Sequence, residues 1–342
     1  MLAVVKEHPG PGLSYDAELP VPSPAAGEAL LKPLLVGICG TDLHIESWAE
    51  PYRDLEAYLP TVLGHEVLAE VVEGERSSAG ERCVALSVYG CGRCELCRSG
   101  RSQLCPDARK ESLGMARDGG LAELMTLPED RLLAVPQTVP DEVAALCEPF
   151  ATAVRAVRTA KGGKPTRIAV LGPGAIGLMV ALVAARLNPE RLVVVGTESD
   201  GDRLNLAEDL GLRTVVSGTD GTDALSDSLG GPADVIFEAS GSVRAFEEGL
   251  QALGPGGELV VVGMHGEPLA VPSGGFVRRE LRLSGSYAAG RRDWEEAIRL
   301  VQSEEVDLRP LAGSVFGLDE ARSAFRATEA GVTGRTLVRC AS

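Results

Sequence analysis

The chain has 342 residues, 44% apolar and 24% charged, which is long and apolar enough for two packed cores. Its formal net charge of −16 argues against binding nucleic acid or anionic membrane by bulk electrostatics. No run of eighteen or more apolar residues occurs, so no membrane-spanning helix is expected.

The opening MLAVVKEHPGPG lacks a charged region followed by a long apolar stretch, so no signal peptide is expected. A reducing cytoplasm, where disulfides are rare, is the expected compartment. The first part of the chain is rich in glycine, proline and short apolar runs. EALLKPLLVGICG, VLAEVV and RCVALSV read as short strands bounded by turns.

Within that part, Cys39, Thr41 and His44 stand in GICGTDLHI, and His65 and Glu66 stand in VLGHEV. Singly, a cysteine is usually a small buried hydrophobe and a histidine a structural side chain. Together, thiolate, imidazole and carboxylate form a ligand set suited to zinc with one open position. Trp48 follows the first of these motifs and fits either a cleft wall or a core cover.

Cys91, Cys94, Cys97 and Cys105 then follow as C-x2-C-x2-C-x7-C. In a reducing compartment this clustering points to metal rather than disulfides. Iron–sulfur motifs of this type close with C-x3-C-P, whereas the last spacing here is longer. Four thiolates complete a tetrahedral zinc site and leave no position for substrate, so this lobe is read as structural. Gly92 and Gly100 allow the backbone to wrap tightly around an ion.

The pattern changes near residue 141. DEVAALCEPFATAVRAVRTA has helical periodicity and an acidic start. Glu148, in ALCEPF, is a candidate fourth metal ligand; Cys147 competes with it, and a helix cap is the alternative role for Glu148. RIAVLG then reads as a strand running into GPGAIG and a helix. Gly172, Gly174 and Gly177 are in G-x-G-x-x-G register, which in a strand–turn–helix context cradles a dinucleotide pyrophosphate at the helix N-terminus. Glu198 ends the next strand, where a carboxylate accepts from ribose hydroxyls and repels a 2′-phosphate. NAD is therefore expected over NADP. Arg203, nearby, would flank the adenine or favour a phosphate.

TVVS, DVIFEAS and ELVVVG continue the strands with helices between them, the pattern of a parallel sheet covered on both faces. WEEAIRLVQSEE and DEARSAFRAT read as helices of a segment returning to the first part. Arg291 and Arg292 read as a solvated basic pair. His8, His265, Cys83 and Cys340 show no ligand-like partners and read as structural.

GICGTDLHI, GHE, the four-cysteine lobe, RDGGLAEL, CEPF and GPGAIG occur in that order along essentially the whole chain. In this the sequence resembles the zinc-dependent medium-chain alcohol dehydrogenases, in particular the polyol (sorbitol-type) and threonine dehydrogenase branches. It departs from the threonine branch at GSYAAGRRDWEEA. The resemblance implies an α/β two-domain fold: a GroES-like β-rich catalytic domain over 1–149 with both zinc sites, a Rossmann doubly wound parallel sheet over 150–286, and a return to the catalytic domain over 287–342. Cys39, His65 and Glu66 would hold the catalytic zinc, and Thr41 and His44 match proton-relay positions. Ile176, Glu198 and Arg203 match positions lining the adenosine and pyrophosphate. Val262, Gly263, Met264, Ser286 and Tyr287 match segments near the nicotinamide. The implied activity is NAD-dependent oxidation of a secondary alcohol on a polyol, sugar or amino alcohol, by a dimer or tetramer. An NADP-dependent reductase of the same fold and a non-catalytic binding protein on the same scaffold are the alternatives.

Overall fold

The computed structural model describes residues 1–161, 163, 165–218 and 222–341. The chain divides into two compact units, Met1–Glu148 with Ala289–Ser342, and Pro149–Ala288.

The first unit is built on a seven-stranded sheet. Its path runs Ala312–Gly317, Arg335–Arg339, Glu28–Gly37, Glu66–Glu73, Arg82–Ala85 and Leu132–Ala134, and Met125–Pro128 also pairs with Glu28–Gly37. The long strand EALLKPLLVG alternates buried and half-buried positions, so one face looks into the core. Pro33, which has no N–H to donate, sits where its register with Glu66–Glu73 slips. A three-stranded sheet of Ser14–Glu18, Leu2–Lys6 and Thr61–Val62 stands apart. The core joins Leu31, Val36, Ile45 and Val67 from the start of the chain to Phe325 and Val338 from its end. The C-terminal segment thus completes a core begun by the N-terminal strands.

The second unit is a sheet of six parallel strands in the order Arg213–Val216, Arg191–Gly196, Arg167–Leu171, Ala233–Glu238, Leu253–Val261, Arg282–Gly285. Numbered along the chain this is 3-2-1-4-5-6, the doubly wound dinucleotide-binding topology, with its switch point between the first and fourth strands. The near-continuous apolar runs, such as IAVL and VIF, reflect burial on both faces. No helix among the described residues is long and apolar enough to cross a membrane.

DEVAALCEPFATAVRAVRTA, with its helical periodicity, folds as two helices, Asp141–Ala145 and Cys147–Thr159. The break comes from Pro149. Its nitrogen cannot donate to the carbonyl four residues back, and its ring would clash there, so it fits only in the first turn of a new helix. The restart places Glu148 in that first turn.

Candidate active site

Cys39 is the N-cap of the short helix Gly40–Glu46. Its amide donates to Oδ2 of Asp42 at 2.8 Å, which fixes the cysteine at the helix entry. Glu66 begins the strand Glu66–Glu73 and lies opposite Gly37 in register. A Cβ at Gly37 would overlap the Glu66 carboxylate, so glycine there makes room for the acid. The sheet register thereby brings one ligand atom each from Cys39, His65 and Glu66 within 4.8 Å of one another.

The electrostatics of this cluster are those of a cation site. Glu66 and Asp42 are fully buried and His65 nearly so. Asp42 Oδ1, His65 Nδ1 and both carboxylate oxygens of Glu66 lack hydrogen-bond partners. Buried carboxylates left in this state are costly unless a cation compensates them. Burial pushes the Glu66 carboxyl up to about 7; the Arg335 guanidinium opposes that shift, and the charge of Glu148 adds to it. Burial also opposes a charged His65, but the Asp42 carboxylate, 3.7 Å from Nδ1, outweighs it and holds the imidazole well above its ordinary value. These donors fit zinc, a metal of mixed N, S and O coordination.

Asp42 and Arg335 are the residues that sequence reasoning missed. Asp42 lies inside GICGTDLHI, and its N3 position after an N-cap was the available signal. Arg335 gave none. It arrives from the far end of the chain, with Nε 3.3 Å from Glu66 Oε2 and a hydrogen bond of 3.3 Å to the Ile38 carbonyl.

Glu148 lies outside the compact ligand trio, and its Oε1 accepts from the Ser87 hydroxyl at 2.7 Å. Cys147 is fully buried with its sulfur toward the Val143 carbonyl, and burial pushes its thiol up to about 12. That environment makes it an inert packing group rather than a ligand. Thr41 Oγ1 is 3.4 Å from the hydroxyl of Tyr52, and the exposed His44 ring stacks on Tyr52 at 5.9 Å and 14°. Tyr52 is a further neighbour that no motif announced. Trp48 has a positive φ of 57° and carries the Lys6 ammonium 5.1 Å above its ring.

The sulfur atoms of Cys91, Cys94, Cys97 and Cys105 also gather within 4.8 Å. Backbone amides of Cys91, Cys97 and Asp107 donate to sulfur in this lobe, each at 3.4 Å. Amides at Arg93 and Cys94 lower the Cys91 thiol to about 6, while burial raises Cys97 to about 12. Gly92 and Gly100 adopt positive φ, as a tight wrap requires. All eight cysteines are free thiols.

In the second unit, Gly172 has φ +99°, and a Cβ there would come 2.8 Å from Cα of Ser240. A Cβ on Gly177 would overlap the Gly172 carbonyl. One on Gly174 would meet nothing within 4 Å, leaving an open approach at the N-cap of the helix Ala175–Ala185. That opening suits a pyrophosphate. Ile176 is half-buried in the first turn. Glu198 is exposed just past the strand Arg191–Gly196. Arg203 is drawn to Asp200 at 3.2 Å, and Asp200 also accepts from Thr197. Val262 and Gly263 donate their amides to the Glu238 carbonyl, and Met264 is exposed. Ser286 keeps a buried hydroxyl without a partner, beside an exposed Tyr287.

Residues 25–137 match the alcohol dehydrogenase GroES-like domain, and residues 175–303 match the zinc-binding dehydrogenase domain. An L-threonine 3-dehydrogenase of Sinorhizobium fredii (strain NBRC 101917 / NGR234) is 32% identical over 99% of this chain and 98% of its own length. The chain belongs to the zinc-dependent medium-chain alcohol dehydrogenase family. A sorbitol dehydrogenase of Halalkalibacterium halodurans is 30% identical over 99% of each chain. Among solved structures, a protein described as a short chain alcohol dehydrogenase from Escherichia coli CFT073, complexed with NADH, superposes with TM-score 0.89 at 25% identity over 99% of each chain. One described as a zinc-binding dehydrogenase from Sinorhizobium meliloti 1021, bound to NADP, gives 0.88 at 27% identity over 99% of this chain and 98% of its own. This dehydrogenase is therefore an oxidoreductase acting on CH–OH donors, with zinc and a nicotinamide dinucleotide as its cofactors.

Proposed function

We propose that this dehydrogenase oxidises a secondary alcohol of a polyol, sugar or amino alcohol to the ketone, with NAD as hydride acceptor. The observation that carries the reading is the gathered trio of Cys39, His65 and Glu66, in which His65 Nδ1 and both Glu66 carboxylate oxygens lack hydrogen-bond partners. Relatives named for threonine and for sorbitol stand at nearly equal identity, 32% and 30%. Both named substrates present a secondary carbinol beside a carbon bearing a heteroatom, and that shared unit is the proposed substrate class.

Cys39, His65 and Glu66 would hold the catalytic zinc, with Glu148 at the edge of that set, and Cys91, Cys94, Cys97 and Cys105 would hold a structural one. A zinc ion held there would supply Lewis acidity to a carbinol oxygen, and a bound nicotinamide would supply the hydride acceptor. The chain's own residues do the rest. The Asp42 carboxylate favours a positive charge on His65 across 3.7 Å, and Arg335 balances the charge of Glu66. Thr41 Oγ1 would accept the proton released by the substrate while passing its own hydroxyl hydrogen on, through the ribose hydroxyl of a bound nicotinamide, towards the exposed His44, which gives it to water. Gly172, Gly174, Ile176 and Gly177 receive the pyrophosphate. Val262, Gly263, Met264, Ser286 and Tyr287 line the nicotinamide end.

Two features support NAD over NADP. Glu198 lies just past the second strand, where a carboxylate would meet the ribose hydroxyls, and Asp200 engages the nearby Arg203. The unpaired thiols of Cys39 and of the four-cysteine lobe support work in the reducing cytoplasm. The chain acts as a homo-oligomer, a tetramer or a dimer, which sedimentation would read directly.

The test is a panel of polyols, sugars and amino alcohols offered with NAD or NADP, beside zinc analysis. NADH formation from a secondary alcohol, with about two zinc ions per chain, is the expected result. Stronger turnover with NADP, or a chain with one zinc that survives Cys39→Ala, would overturn it.

A further inference from the structure

Glu238 ends the fourth strand of the parallel sheet, and its carboxylate is fully buried. Oε1 accepts from the Ser240 amide at 2.7 Å, the Ser240 hydroxyl at 2.5 Å and the Gly241 amide at 3.0 Å. Oε2 makes no aligned hydrogen bond and faces Nε2 of His265 at 3.2 Å. The His265 side chain is 5% exposed, and its ring stands edge-on to Phe246 at 6.1 Å. The main-chain oxygen of Glu238 accepts from Val262 and Gly263 at 2.8 and 2.9 Å. One residue therefore ties the loop 239–242 to the loop 262–265.

The two loops also meet directly. A Cβ on Gly241 would come 2.6 Å from the Met264 carbonyl oxygen, and one on Gly263 would reach Glu238 Oε2 at 2.9 Å. The first loop rests on the glycine turn. Ala239 donates to the Leu171 carbonyl at 2.8 Å, and Ser240 fills the space beside Gly172. This is the carboxyl edge of the sheet at its switch point, where open α/β sheets bind dinucleotides. A buried carboxylate and imidazole are expensive as packing material, and an apolar pair would fill the same volume.

We propose that Glu238 and His265 are a positioning pair that sets the placement of these two loops beside the glycine turn, and through it the affinity for the nicotinamide dinucleotide. They act through the backbone of Ser240, Gly241, Val262 and Gly263. The proposal rests on the cofactor assignment and not on the alcohol substrate.

The test titrates NADH by fluorescence into the zinc-loaded full chain and its His265→Phe, Glu238→Gln, doubly substituted and Ser240→Ala forms. Phenylalanine keeps the ring against Phe246 while removing the nitrogen. Each single substitution of the pair raises the NADH Kd about threefold or more, and the double form is no weaker than the worse single one, as coupled residues require. KM for NAD follows Kd, while kcat at saturating NAD moves less than about twofold. Ser240→Ala, which removes one bond to Oε1, shifts Kd in the same direction by less. Unchanged Kd in both single forms, or effects that multiply in the double form, overturns the proposal. Should His265→Phe fail to fold, an unchanged Kd in Ser240→Ala and Glu238→Gln has the same force. A wild-type chain that binds NADH but oxidises no alcohol sinks the substrate reading and leaves this one standing.

Discussion

Asp42 Oδ1 lies 3.7 Å from Nδ1 of His65 while its other oxygen holds the Cys39 amide at 2.8 Å, so one buried carboxylate bonds one member of the trio and faces a second. Groups that orient a metal's ligands commonly control affinity by about 10- to 100-fold. Asp42→Asn should therefore release one of two zinc ions to a chelator at concentrations that leave the wild type loaded. Retention of both ions would dissociate Asp42 from the site.

The two zinc sites should separate by mutation. Cys39→Ala loses turnover and one zinc ion, with a small change in melting temperature. Cys94→Ala loses the other ion and lowers the melting temperature, because four gathered cysteines would tie that lobe together through the metal. Metal analysis beside calorimetry reads both. Equal loss of stability in the two variants would contradict the division of roles.

Glu66 predicts a pH dependence in the metal-free protein. Burial raises its carboxyl from 4.5 to about 7 in the folded state, so the folded chain binds the proton more tightly than the unfolded one. Stability supported by that proton is present at acid pH and declines as pH rises from about 4.5 to about 7, by on the order of a few kcal/mol. Denaturant unfolding of zinc-stripped protein checks this against Glu66→Gln, which removes the titrating group. Identical pH slopes for the two would show that Glu66 does not titrate in this window.

Gly174 and Gly172 should fail differently. A Cβ at Gly174 enters open space, so Gly174→Ala folds with at most about 1 kcal/mol lost at the helix cap. It nevertheless raises the NADH Kd about tenfold or more, since the methyl stands where the pyrophosphate approaches. Gly172→Ala also loses stability, because its φ of +99° is strained for alanine and Ser240 occupies the space. Wild-type NADH affinity in Gly174→Ala would place the dinucleotide elsewhere.

Glu198→Gln tests the cofactor preference. Removing the carboxylate that repels a 2′-phosphate should narrow the ratio of kcat/KM for NAD over NADP by about tenfold, or about 1.4 kcal/mol. A ratio that does not move would transfer the discrimination to Asp200 or another group.

The sequence by itself determined the local features. Short strands, the glycine turn, the thiolate lobe and the ligand types of GICGTDLHI and GHE are contiguous or nearly so, and their chemistry follows from residue type and spacing. The tertiary structure decided whatever depends on register and on distant returns of the chain. Arg335 meets Glu66 because the strand Arg335–Arg339 joins Glu28–Gly37, which pairs with Glu66–Glu73; no spacing rule spans 269 residues. His265 had no partner in sequence because Glu238 reaches it from the end of the neighbouring strand of a parallel sheet. Cys147 and Glu148, adjacent and both plausible ligands in the sequence, part company because successive helical residues point some 100° apart. One falls into the core and the other reaches Ser87. Ligand chemistry is a property of side chains, but which side chains share a site is decided by sheet order and helix phase.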